Sequence, residues 1–260
     1  MDKNTEKSVS KSLEARPELL PCLPELLVDL WALGSSPDLV VQMLRPLNLP
    51  SSSTRVIDLG CGKGAVSITL ARELGFQIVG IDACKAFLEE AERKAAEFNV
   101  SELCQFRFGD IREFVNNANN FDIAIYASMG NVLGSFDECV GKLRGTIHPG
   151  GYIVIDDGFL ENPTLIKRGG YEHYLPHDET LKQLTSQGDT LFQELLLTDE
   201  ETRSLNEHYI KAMKRRAQTL IQRRPDLNET ISRYIREQEI ECELIEKHIT
   251  RAIWLLKRAE

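Results

Sequence analysis

The chain has 260 residues, 42% hydrophobic and 27% charged, the make-up of an ordinary soluble globular protein with one sizeable core. A formal net charge of −9 argues against a polyanion as main partner, because nucleic-acid binders carry a basic footprint. Six scattered cysteines without a CxxC pair exclude a disulfide framework and a zinc site, and no apolar run approaches the ~20 residues of a membrane span.

Residues 1–16 read as a flexible polar lead without the apolar stretch of a signal peptide. With reduced thiols, this makes the cytoplasm the expected compartment and a membrane an unexpected partner. Residues 17–50 offer two short helical segments, divided at Gly34 and closed by Pro46 and Pro50, expected as a helical cover. From 51 to 160, short apolar runs alternate with helical patterns. Strands are expected at 56–59, 77–81, 104–108, 121–127 and 151–157, and helices at 65–74, 85–98 and 136–143. Such alternation predicts an α/β fold, a doubly wound, mostly parallel sheet with ligands beyond the C-terminal strand ends. Residues 161–198 should hold a loop, a helix at 178–187 and a strand at 191–197. "TDEE" from Thr198 is a capping-box signature that starts a helix, Pro225 breaks it, and "DLNE" from Asp226 offers a second box. The segment 199–248 exceeds what such a sheet needs and is expected as a helical insertion serving as a lid. Residues 249–260 carry the final strand. The whole of 17–260 is expected to be one domain.

The stretch "RVIDLGCGKGAVSI" carries the chemistry. Gly60, Gly62 and Gly64 permit positive φ and close backbone approach, and the helix that follows points free N–H groups at a ligand. Dinucleotide sites space their glycines GxGxxG, whereas Val66 stands here where the third would be. Asp58, two residues before the first glycine, suits a ligand that brings a positive charge, such as the amino-acid head of S-adenosylmethionine. Asp82 ends the second strand where a carboxylate can take both ribose hydroxyls. Asp110 and Ile111 follow the third, where an adenine amino group and ring could be held.

In "DLGCGKG", "GID", "GDI" and "IHPGGYIVIDD" the chain resembles the class I S-adenosylmethionine-dependent methyltransferases, over roughly residues 55–157. The resemblance implies a Rossmann-like seven-stranded sheet with an antiparallel last strand. It also implies S-adenosylmethionine as cofactor, contacted by Asp58, Gly60, Cys61, Gly62, Gly64, Asp82, Ala83, Asp110, Ile111 and Ser128. "YASMGNVLG" after the fourth strand is similar to the small-molecule N-methyltransferases of glycine-like amines. The prolyl motif of enzymes that methylate nucleobase amino groups is missing. The expected partner is therefore a small-molecule acceptor, an amine by that similarity; nothing in the sequence sets an oligomeric state.

Methyl transfer needs alignment and exclusion of water more than strong acid–base groups, so no catalytic residue can be named. Ser128, Met129, Asn131, Asp156 and Tyr209 are candidates for positioning the acceptor, Tyr234 is a further pocket-facing candidate, and Asp156 or Asp157 could attract a cationic amine. Asn131 reads equally as a turn residue, Asp157 as a strand-end turn before Gly158, and Tyr209 and Tyr234 as core aromatics. Tyr171 and His173 read as surface loop positions or the pocket mouth, and Cys61 and Cys84 as fillers beside the cofactor. His173 and His177 stand four apart, but Pro176 prevents a regular helix and no metal is expected. The basic run 211–224 is either a solvated helix face or a docking face of an RNA or protein methyltransferase. A silent S-adenosylmethionine-binding module and a nicotinamide oxidoreductase remain alternatives, the last disfavoured by the glycine spacing.

Overall fold

Short apolar strands alternating with amphipathic helices bury both faces as the middle layer of a three-layer α/β sandwich. The computed structural model describes residues 13, 15–162, 166 and 168–260, so most of the lead assigned to 1–16 lies outside the described residues. Among those, seven strands form one sheet: β1 (Arg55–Leu59), β2 (Gln77–Asp82), β3 (Cys104–Phe108), β4 (Phe121–Ala127), β5 (Ile147–Leu160), β6 (Thr190–Leu196) and β7 (Ile249–Lys257). Their order is β3-β2-β1-β4-β5-β7-β6, with β7 antiparallel to both neighbours. Chain order reverses between β1 and β4, which opens a crevice at their C-terminal ends.

The described helices are α1 (Leu23–Leu26), α2 (Pro37–Leu44), α3 (Ala65–Leu74), α4 (Lys85–Glu97), α5 (Ile111–Asn117), α6 (Phe136–Arg144), α7 (His177–Leu184), α8 (Asp199–Arg223) and α9 (Asn228–His248). Alternate residues of each strand supply the two faces. Ile57, Ala124, Ile155 and Trp254 meet Phe136 and Val140 of α6 on one side. Val56, Ile125, Val154 and Leu255 meet Val40 of α2 and Ile68 of α3 on the other. A third cluster lies above the strand ends, where Leu23, Leu26 and Leu30 pack on Met213 and Leu220 of α8 and Ile231 and Tyr234 of α9. This is a roof with a core of its own.

Three local expectations need correction. Helix α5 went unread because seven residues give little periodicity, yet Asp110 caps it by accepting from the Arg112 backbone N at 2.9 Å. Strand β5 runs on to Leu160, because antiparallel β7 pairs with it as far as Ile249. Asp157 is therefore a strand residue and not a turn. A Cβ on Gly158 would fall 2.6 Å from Ile249 Cγ2, so that glycine serves close strand approach. The capping box at Thr198 forms with Glu201, but the one expected at Asp226 does not. The Asp226 carboxylate pairs with Arg224 at 2.7 Å instead, and the turn Pro225–Leu227 separates it from α9.

Candidate functional site

The glycine turn leaves β1 through three residues of positive φ: Gly60 at 84°, Gly62 at 52° and Gly64 at 74°. The backbone N–H groups of Gly60 and Cys61 both donate to Ile81 O, fastening the turn onto the end of β2. Asp82 completes the join. Its carboxylate accepts from the backbone N of Gly62 and of Cys84, each at 2.8 Å, and burial pushes its pKa up against those bonds.

A small cavity of about 140 Å³ opens above this turn. Gly60, Gly62, Asp82, Ala83, Asp110, Ile111 and Ser128 line it, seven of the ten residues expected at a cofactor. The other three lie beneath. Asp58 is buried and accepts from Ser67 Oγ at 2.6 Å, and burial raises its pKa to about 6. Cys61 packs under the turn, its Sγ 2.9 Å from where a Cβ on Gly80 would sit. Gly64 starts α3 and has no room for a Cβ against Ala91 and Phe106. At Gly60 a Cβ would collide with the Met129 side chain, whose Sδ lies 2.1 Å from that point.

Asp110, Ser128, Met129 and Val132 form a shared wall with a second cavity of about 960 Å³. That volume suits a drug-sized ligand. Ser128 takes φ of 55°, a left-handed conformation that side chains rarely adopt and that here turns the chain sharply after β4. The roof covers the cavity with residues of the N-terminal segment (Leu27, Gly34), of α8 (Tyr209, Met213) and of α9 (Tyr234, Glu241).

Of the acceptor candidates, Asp156, Tyr209 and Asn131 fare differently. Asp156 is buried and holds the N-terminal segment: its Oδ2 accepts from the Ser36 backbone N at 2.9 Å, and Arg251 lies 3.4 Å from Oδ1. Burial raises the Asp156 pKa, with Arg251 opposing. Arg251 also donates to Gly34 O at 2.5 Å. The Tyr209 hydroxyl donates to Ala32 O and accepts from the Gly34 backbone N. Both residues therefore fasten the roof while lining the cavity. Asn131 lies on the cavity wall and donates to Glu172 at 3.3 Å.

The loop that follows β5 departs most from expectation. Tyr171 and His173 are buried and line the cavity. The Tyr171 hydroxyl donates to Glu241 at 2.5 Å, and His173 Nε2 stands 3.3 Å from Asp157 Oδ2. His177 lies apart, against Glu194 at 2.8 Å, and no metal-binding cluster occurs among the described residues. Tyr174, Glu241 and Arg251 line the cavity and were missed from the sequence. An arginine inside the apolar run of β7 was the one available signal.

Lys63, between the second and third glycines, was also missed. Its buried ammonium donates to Leu27 O at 2.5 Å and Leu30 O at 2.9 Å, and Trp31 Nε1 donates back to Lys63 O. Burial lowers its pKa to about 8. The glycine turn and the roof are thus tied through one side chain.

The basic run at the end of α8 lies on the surface, and most of its side chains are paired with acids. Arg215 and Arg216 both reach Asp29, Arg223 reaches Glu25, Lys214 reaches Glu239 and Arg224 reaches Asp226. No helix among the described residues is long and apolar enough to cross a membrane.

Comparison with known proteins agrees with this geometry. A family model described as a methyltransferase domain matches residues 50–222. A methyltransferase of Geobacter sulfurreducens, solved with S-adenosylhomocysteine, superposes with a TM-score of 0.78 at 19% identity, over 94% of this chain and 99% of that one. An uncharacterised protein of Escherichia coli K12, YjhP, is 33% identical over 106 residues, 41% of this chain. A ubiquinone biosynthesis O-methyltransferase of Mesorhizobium japonicum is 29% identical over 106 residues, also 41% of this chain. The matched stretch covers 42% and 41% of the lengths of these two relatives. Sequence motif, sheet order and family match converge: the chain belongs to the class I S-adenosylmethionine-dependent methyltransferases.

Proposed function

We propose that the protein transfers a methyl group from S-adenosylmethionine to a small cationic amine. The cofactor would lie over the glycine turn, its ribose at Asp82 and its adenine between Asp110 and Ile111. The fit is supported by the three positive-φ glycines, by the rim of carboxylates and by the side-chain-free backbone at Gly60 and Gly62. S-adenosylmethionine supplies a methyl carbon already activated by its sulfonium, so the chain's part is alignment and exclusion of water.

One observation carries the acceptor class. Among the described residues, the 960 Å³ cavity presents five carboxylates (Asp110, Glu113, Asp156, Asp157 and Glu241) against two guanidinium groups, Arg112 and Arg251. Four tyrosines, at 171, 174, 209 and 234, complete its wall. Negative charge and electron-rich rings together favour a cation and repel phosphate esters or carboxylates. The pairing of the surface arginines on α8 with Asp29 and Glu25, which offsets their charge, supports the small-molecule reading over a docking face for RNA.

Labelled S-adenosylmethionine offered with benzylamine, catechol and a phosphate monoester tests this. Methylated benzylamine is the expected product. Methylation of catechol alone would move the acceptor to the oxygen class that the Mesorhizobium relative's name carries. Methylation of the phosphate-bearing compound alone would contradict the charge argument.

A further inference from the structure

Burying a polar atom without a partner costs about 1–3 kcal/mol, and such atoms are rare in folded proteins. Of the six found among the described residues, three belong to one contact: His173 Nδ1, His173 Nε2 and Asp157 Oδ2. Both side chains are sealed, at 3% and 5% exposure, and Nε2 faces Oδ2 at 3.3 Å without hydrogen-bond alignment. Packing fixes the imidazole. Tyr174 stacks on it at 4.1 Å between ring centroids, Phe136 meets it edge-on at 5.5 Å, and a Cβ on Gly130 would lie 3.8 Å from its Cε1. The Tyr174 hydroxyl also neighbours Asp157, and burial together with that carboxylate raises its pKa. Three unsatisfied polar atoms in one imidazole–carboxylate pair, covered by side chains in the wall of a large cavity, mark a group that the arrival of a ligand would uncover.

We propose that His173 is the proton acceptor of the methyl transfer, with Asp157 as its positioning residue. This rests on the amine-methyltransferase reading above. Asp157 would hold a proton on Nε2 once that contact tightens into a hydrogen bond, and the lone pair of Nδ1 would face an acceptor whose approach displaces the side chains that now cover it. A bound ammonium R–NH₃⁺ gives one proton to Nδ1 and so regains its lone pair. The nitrogen then attacks the methyl carbon, a C–N bond forms, and the C–S pair stays with sulfur as a neutral thioether. The product leaves as R–NH₂CH₃⁺, and the imidazolium, steadied by Asp157, returns its proton to solvent. The other titratable groups facing the pair cannot substitute. Tyr126 from β4, Cys139 from α6 and Tyr174 from the loop are all held in their neutral, protonated forms by burial. Tyr171 is bound to Glu241, and Lys142 donates to Leu133 O.

The test uses the full chain, with His173→Gln and Asp157→Asn, and whichever of benzylamine or catechol the wild type methylates. S-adenosylhomocysteine affinity should stay within about twofold in both variants. A positioned general base is worth about 10²–10⁴-fold, so His173→Gln should lose at least about 100-fold in kcat at pH 7. The deficit should narrow toward about pH 9, where more acceptor arrives deprotonated. An unchanged pH profile in His173→Gln, or equal loss of cofactor affinity and kcat, would overturn the proposal. A second readout needs no acceptor: two-bond ¹H–¹⁵N spectra of the histidine rings, with His173 assigned from its variant. The wild type should show the Nε2-protonated tautomer, and Asp157→Asn should shift it toward the other. A ring protonated on Nδ1 in the wild type, or one indifferent to Asp157→Asn, sinks the pair. A wild type that methylates neither probe would count against the proposed acceptor class, and the ring spectra then decide on the pair alone.

Discussion

At Asp58 the structure and the motif ask different things of one carboxylate. The sequence places it before the glycines as a partner for positive charge, whereas in the fold it lies under the turn with Ser67 as its bonded partner. Its pKa of about 6 stands above the 3.8 of an exposed aspartate, with burial as the main cause. Between those two values the native state holds more protons than the unfolded chain. Stability from this group is therefore full below 3.8 and falls as pH rises through 6, by about 3 kcal/mol for a shift of this size. Asp58→Asn, which keeps an acceptor for Ser67, should raise the melting temperature at pH 8 and have little effect at pH 4. Equal shifts at both pH values would show that the buried charge is not the cause. Gly60 gives a second residue-scale test. Gly60→Ala meets both a positive φ and the Met129 side chain, and overpacking of this kind costs about 1–3 kcal/mol. Part of that loss should return in the Gly60→Ala, Met129→Ala double variant, as read from denaturant midpoints; a purely additive pair would place the whole cost in the backbone.

At the scale of elements, legibility followed periodicity. Strands β1 to β4 and helices α3, α4 and α8 were readable because apolar spacing, glycines and a capping box agree there, and the carboxylates at their ends could be placed from motif spacing. What was not readable is what long-range packing decides. His173 looked like a surface position in "YEHYLPHDE" because nothing local shows that Phe136, 37 residues earlier, will cover it. Asp157 looked like a turn because its strand is prolonged by β7, about a hundred residues later. The arginines of α8 lie on the surface, as a solvated face should, but nothing local shows that Arg215 and Arg216 pair with Asp29 and Arg223 with Glu25, on a segment distant in sequence. That clasp is testable. Arg216→Glu should speed amide exchange across 23–31, and Asp29→Arg in the same chain should restore protection. Failure of the second change to restore it would mean that the pair does not fasten the roof.

For the whole molecule, the roof closes over the strand ends at the point where sheet order reverses, and Lys63 joins the two. Lys63→Met should therefore weaken S-adenosylhomocysteine binding even though the ammonium faces the roof and not the glycine cavity, and should expose 23–31 to exchange. Unaltered affinity with a loosened roof would separate the two layers. The central claim is that one site runs from the glycine turn into the tyrosine-walled cavity. It is tested most directly by a crystal structure of the protein with S-adenosylhomocysteine and benzylamine. Ribose hydroxyls are expected within hydrogen-bond distance of Asp82, adenine beside Asp110 and Ile111, and the ammonium within hydrogen-bond distance of His173 Nδ1. Cofactor density away from Gly60 and Gly62, or an amine outside the cavity lined by Tyr171, Tyr174 and Tyr209, would contradict that claim.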